Sequence, residues 1–206
     1  MTIKSKNIIT GAFMFLLSIS ILFGLNSCSC GCGTADASDV PLSVLNKANN
    51  FIITRTGKEF FDKYITPDFS LITYKDPYYK MAYKFFMPEK PYVNTVITFS
   101  IDKDGKIDGK DEIAGIPEYL KDPASCRFNI DDKQAIKIAK ENGLKEGVSK
   151  WKVGLLWDSS YNQYIWHVLS TYSESGKDKN YKGSGKEFLI DPNTGQVISA
   201  NLWHIP

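Results

Sequence analysis

Four cysteines, two histidines and a scatter of carboxylates are the reactive side chains of this 206-residue chain. Cys30, Cys32 and Cys126 could form a three-thiolate metal centre, since thiolates are strong zinc ligands. No histidine lies near them in sequence and a fourth ligand is missing, so no metal is expected. In an oxidising compartment the same thiols suit a disulfide, Cys126 pairing with Cys30 or Cys32. Asp102, Asp104 and Asp108 with Gly105 look superficially like a calcium loop. An EF-hand places glycine sixth and glutamate twelfth. Here glycine is fourth and Ile107 resumes an apolar run, which predicts a solvated hairpin turn.

His167 and His204 are the two histidines. Asp158, Ser159 and Ser160 precede His167, and serine, imidazole and carboxylate together are the parts of a hydrolytic triad. The serines read instead as a turn between two strands, with nothing like a nucleophile elbow around them. No glycine-rich phosphate loop or HExxH helix is present. No catalytic residue and no cofactor are therefore expected. Trp151, Trp157, Trp166 and Trp203 admit two readings: core filling between sheet and helix, or a surface for a peptide or glycan. Tyr74, Tyr78, Tyr79 and Tyr83 pose the same choice.

The first 28 residues set the address. Lys4 and Lys6 precede an uncharged apolar run from Ile8 to Leu25, and Leu25-Asn26-Ser27-Cys28 follows. A short apolar helix behind a positive end enters the translocon with that end on the cytoplasmic side. The four closing residues resemble a lipobox, with a small residue before the bond to be cut and a thiol to receive lipid. Asn26 departs from the small or aliphatic residue usual there. The alternative is an uncleaved membrane anchor, as the 18-residue run is close to the shortest that spans. On the first reading, residues 1–27 are a lipoprotein signal peptide and Cys28 is the lipidated residue. The expected location is the bacterial cell envelope, with the domain in the periplasm or outside the cell. Residues 28–40, small and polar, form a flexible tether. Without Lys4 and Lys6, 23 basic side chains face 23 acidic ones, so nothing in the charge favours nucleic acid.

Beyond the tether the chain reads twice as helix followed by strands, giving an α+β fold with an antiparallel sheet and helices on one face. In residues 41–120, apolar positions three and four apart from Leu42 to Ile65 predict a helix broken at Gly57. Strands are predicted over Tyr79–Met87 and Val93–Ile101. In residues 129–206, Asp131 and Gln134 predict a capping box, and Asn142-Gly143 a helix stop. Strands are predicted over Trp151–Trp157, Tyr164–Thr171, Glu187–Ile190 and Gln196–Ala200. Phe99 to Ile107 and Phe188 to Val197 share an apolar strand, an Asp, a Gly and an immediate return, which suggests a duplicated unit.

The residues DDKQAIKIAKENGL, KWKVGLLW, YIWHVLST and GKEFLIDPNTGQVISA, from about Asn129 to Trp203, resemble the PepSY and PepSY-like exported domains. If the first half is a divergent copy, the layout is also similar to the tandem-repeat proteins that inhibit β-lactamases. The resemblance implies a non-enzymatic module that binds or restrains another envelope protein or a peptide, and carries over no catalytic residues. The alternatives are a small envelope hydrolase using His167 or an acidic pair, and a purely structural lipoprotein.

Overall fold

The protein is described by a computed structural model over residues 40–176 and 180–206, which fall within one compact unit. The leader, Cys28, Cys30, Cys32 and nearly all of the tether lie outside the described residues. Among the described residues, no helix is long and apolar enough to cross a membrane.

Helix α1 (Leu42–Thr56) buries Val44, Ala48, Ile52 and Thr56, a stripe repeating every four residues on one helix face. Gly57, at φ +79°, interrupts it and starts α2 (Lys58–Tyr64). Next come β1 (Ile65–Pro67), β2 (Thr73–Lys75), β3 (Tyr78–Met87) and β4 (Lys90–Asp102). β3 pairs antiparallel with β4 along one side, and with both short strands along the other. In β4, Val93, Ile97, Phe99 and Ile101 point into the core while Val96 points out, the period-two pattern that the sequence predicts.

The second sheet follows α3 (Asp132–Glu141). The capping box forms as expected: Asp131 accepts from the Gln134 N–H, and the Gln134 side chain accepts from the Asp131 N–H. Gly143, at φ +87°, ends the helix region. Then β5 (Lys152–Asp158), β6 (Gln163–Ser175), β7 (Lys182–Ile190) and β8 (Val197–Ile205) form an antiparallel meander in chain order. Ala135 and Ala139 of α3 are fully buried in the core that also holds Trp166, Val168 and Phe188. The fold is α+β with two antiparallel sheets rather than one.

The same turn design closes β4 and β7. The Asp102 carboxylate accepts N–H groups of Asp104 and Lys106, and Gly105 takes φ +92°. The Asp191 carboxylate accepts N–H groups of Asn193 and Thr194, and Gly195 takes φ +76°. An Asp that ties down its own turn and a glycine free to adopt positive φ explain both matches seen in the sequence.

Residues 121–128, between the two sequence units, hold a residue that packs on both sheets. Phe128 is fully buried, although its backbone sits at φ +45°, a conformation that strains a bulky residue. Its ring lies 6.1 Å from that of Phe85 on β3 and 5.8 Å from that of Tyr164 on β6. Its N–H donates to the Asn193 side chain at 2.8 Å, and its carbonyl accepts from the Tyr92 hydroxyl at 2.5 Å. Ile130 N–H donates to Pro192 O, and the Ile130 and Ile138 side chains close over Gly195. The turn between β7 and β8 is thus clasped by the chain entering α3.

Removing one of these acceptors should be felt globally. Asn193→Ala leaves the Phe128 amide unpaired in a half-buried site and should destabilise by about 1–3 kcal/mol. A melting experiment should show a fall of roughly 2–4 °C per kcal/mol, whereas Asn94→Ala at an exposed position should change little. Equal melting of the two variants would contradict this role for the turn.

Candidate functional site

Cross-strand neighbours on the face of the second sheet turned away from α3 bring together the polar side chains closest to a catalytic set. His167 on β6 lies opposite Gly154 and Leu189. Diagonally across from it, Glu187 Oε1 sits 2.7 Å from His167 Nδ1, the spacing of a charge-assisted hydrogen bond. Asp158 Oδ2 is 4.0 Å from His167 Nε2, while Asp158 Oδ1 accepts the Ser160 N–H and so fixes the β5–β6 turn. One carboxylate orients the imidazole, which is half of what a triad needs. The other half is a hydroxyl or thiol on Nε2, and that nitrogen is buried with no hydrogen-bond partner among the described residues. This geometry can hold and orient an imidazole; among the described residues no hydroxyl or thiol lies on Nε2.

The acidic loop has a structural role. Asp102 is held below the usual carboxylate range chiefly by the Lys106 N–H, with that of Asp104 adding to it. Asp108 accepts the Lys110 N–H. Among the described residues, no group of His, Cys, Asp and Glu is placed to hold a metal ion.

The four tryptophans do not form one surface. Trp166 is core, its indole N–H donating to Ile130 O at 2.8 Å, so it drops out of any binding face. Trp151 and Trp157 are partly buried against the core, Trp157 edge-on to Tyr164 at 5.2 Å. Each also walls an open cavity. One, of about 450 Å³, lies beside Ile136, Lys140, Glu146 and Lys150; the other, of about 230 Å³, beside Glu118, Asp122, Asn162 and Gln163. Trp203 differs, since it packs outside the core cluster. It faces Gly185 in register on β7, and a Cβ built on Gly185 or Gly183 would come within 2.7 or 3.1 Å of the indole. Glycine lets the ring lie against the strand itself. The indole N–H groups of Trp151, Trp157 and Trp203 are all buried without an acceptor among the described residues. Of the tyrosines, Tyr83 is core and bonds Asn49 at 2.8 Å, while Tyr74 is exposed, its ring tilted against that of Tyr79.

Sequence reasoning missed Glu187, Gly183 and Gly185. Diagonal neighbours need a register, and the strand predicted from Glu187 leaves Lys182 to Lys186 unassigned, where the Trp203 ring lies against Gly183 and Gly185.

Cys126 is 4% exposed, and burial pushes its thiol up to about 11. Its expected disulfide partners, Cys30 and Cys32, lie outside the described residues. Burial also raises the phenols of Tyr83 and Tyr164.

Two outcomes follow. Gly185→Ala would set a methyl 1.9 Å from the Ser170 carbonyl oxygen and against Trp203, so strand and ring must both move. A destabilisation of about 2 kcal/mol or more is expected, with a shift in Trp203 fluorescence; wild-type stability and emission would contradict the cradle. With thiols reduced, the neutral Cys126 thiol is favoured in the fold, so its contribution is intact below the ordinary thiol value of 9.0 and lost as pH climbs through about 11. The urea midpoint should fall across that window, earliest because of Cys126, and Cys126→Ala should remove the early part. A flat profile to pH 11 would contradict the burial of a neutral thiol.

Neither the models of known protein families nor the curated proteins give a match to this chain, so its functional reading rests on its residues and their geometry.

Proposed function

We propose that this chain is an exported lipoprotein, held to the bacterial envelope through Cys28, whose body is a non-enzymatic module that binds another envelope protein or a peptide. The leader supports the address: a positive start, an uncharged apolar run and Leu25-Asn26-Ser27-Cys28 are the features that export and lipidation read. The resemblance to PepSY-like domains is supported over 129–206 by a helix followed by an antiparallel meander whose last turn is Asp191-Pro192-Asn193-Thr194-Gly195. The matching Asp102–Gly105 turn supports duplication of one unit.

The observation that carries the binding role is Trp203. Its indole rests on Gly183 and Gly185 outside the core, next to exposed Asn201 and Leu202. Aromatic side chains held rigidly at a surface supply large contact area at small entropic cost and are frequent binding anchors. The His167–Glu187 pair, with Nε2 facing no nucleophile, favours orientation of side chains over hydrolysis.

Labelled palmitate fed to cells expressing the full chain should enter the protein, and Cys28→Ser should abolish incorporation. Crosslinking in the native envelope should recover a discrete protein partner, and Trp203→Ala should lower that recovery about tenfold or more. No label in the intact chain overturns the anchor; undiminished recovery by Trp203→Ala overturns the binding role.

A further inference from the structure

Every sheet edge carries unpaired backbone groups, and folded proteins normally blunt them with charge, brevity, proline or a covering segment. This chain does so at its other edges. β1 and β2 are three residues long. The outer side of β4 is met by Ile107 and Ala114, which bridge to Ile101 and Thr98. β5 packs near β4 and is flanked by Lys152 and Asp158. The exception is β8, the last strand of the second sheet. Val197 to Ile205 reads VISANLWHI, without a Lys, Arg, Asp, Glu, Pro or Gly. Among the described residues nothing pairs with its outer side.

The strand is also regular where it is open. Its pairing with β7 runs unbroken from Ser199 to Ile205, the irregularity falling earlier, between Leu189 and Ile190. Ala200, Asn201, Leu202, His204 and Ile205 are exposed, Leu202 at 80% and Ile205 at 45%. Every second residue of such a strand turns its N–H and C=O away from β7, so a ready ladder faces outward.

We propose that β8 is a dimerisation edge whose occupant is β8 of a second copy of this chain. An antiparallel self-pairing with its two-fold axis at Leu202 engages the whole unbulged run. Ser199 then meets Ile205, Ala200 meets His204, Asn201 meets Trp203, and the two Leu202 side chains meet on the axis. The absence of charge suits a second copy: self-pairing sets each residue against a fixed mate, and here no like charges are forced together. The contact is isologous and closed, so it stops at two copies, joining two four-stranded sheets into one of eight strands. This pairing holds whether or not Cys28 carries lipid, and goes beyond the binding role given to Trp203.

The test is sedimentation equilibrium of the full chain in density-matched detergent micelles. The wild-type chain should show a reversible monomer–dimer equilibrium. Leu202→Lys and Leu202→Glu, each placing like charges on the axis, should each raise the dissociation constant about tenfold or more. Equimolar mixing of the two variants should restore the dimer through the Lys–Glu pair. At concentrations well below the wild-type dissociation constant both should melt like the wild type, since the replaced side chain is 80% exposed. A wild-type chain that stays monomeric overturns the proposal. So do dimers that persist in both variants, as association through the apolar leader would produce, and so does a mixture that fails to reassociate.

Discussion

Phe128 is a bulky aromatic residue held in a backbone conformation that favours glycine, and the architecture depends on what holds it there. A positive φ at such a residue costs on the order of 1–3 kcal/mol and persists only where its surroundings over-determine it. Those surroundings are four separate elements. Phe85 of the first sheet and Tyr164 of the second pack on the ring, Tyr92 donates to the carbonyl, and Asn193 accepts from the amide. Burying a phenylalanine ring is worth about 1.5–3 kcal/mol, enough to offset the strain before the hydrogen bonds are counted. One residue from the connecting stretch thereby touches both helix-and-sheet units, beside the direct Phe85–Tyr164 and Tyr92–Trp166 contacts of their shared core.

This constraint explains where the chain can interact. The D-P-N-T-G turn, on which the proposed PepSY-like reading rests, is occupied by Phe128, Asn129 and Ile130, so its motif serves the fold. Asp102 and Asp158 likewise spend their carboxylates on turn amides. What the core does not claim lies along the far side of the second sheet: Trp203 on its glycine strip, the His167–Glu187 pair, and the uncharged outer strand. A tryptophan set against backbone needs glycine beneath it, and two glycines in a strand are a local weakness that only such a ring makes good.

Local signals were legible in the sequence and distant ones were not. Gly57, the Asp131–Gln134 capping box and Gly143 depend on a few adjacent residues, and each forms where their types predict. The central strands β3, β4, β5 and β6 follow from alternation of apolar side chains, to within a few residues at their ends. The three-residue strands β1 and β2 carry too little pattern to read. β7 begins five residues before its predicted start at Glu187, because Gly183 and Gly185 weaken the strand pattern while Trp203, far along the chain, packs on them. Phe128 at positive φ contradicts its own residue type, so only the packing around it could reveal it. Trp166 could be separated from Trp203 only once the register showed which face each occupies.

Native-state amide hydrogen exchange at Phe128 and Ile130 tests the central claim most directly. If the clasp between this segment and the Asp191–Gly195 turn joins the two sheets, these amides exchange only with the global opening that exposes β3 and β6. Exchange of Phe128 and Ile130 through an opening cheaper by more than about 2 kcal/mol, with both sheets still protected, would contradict it.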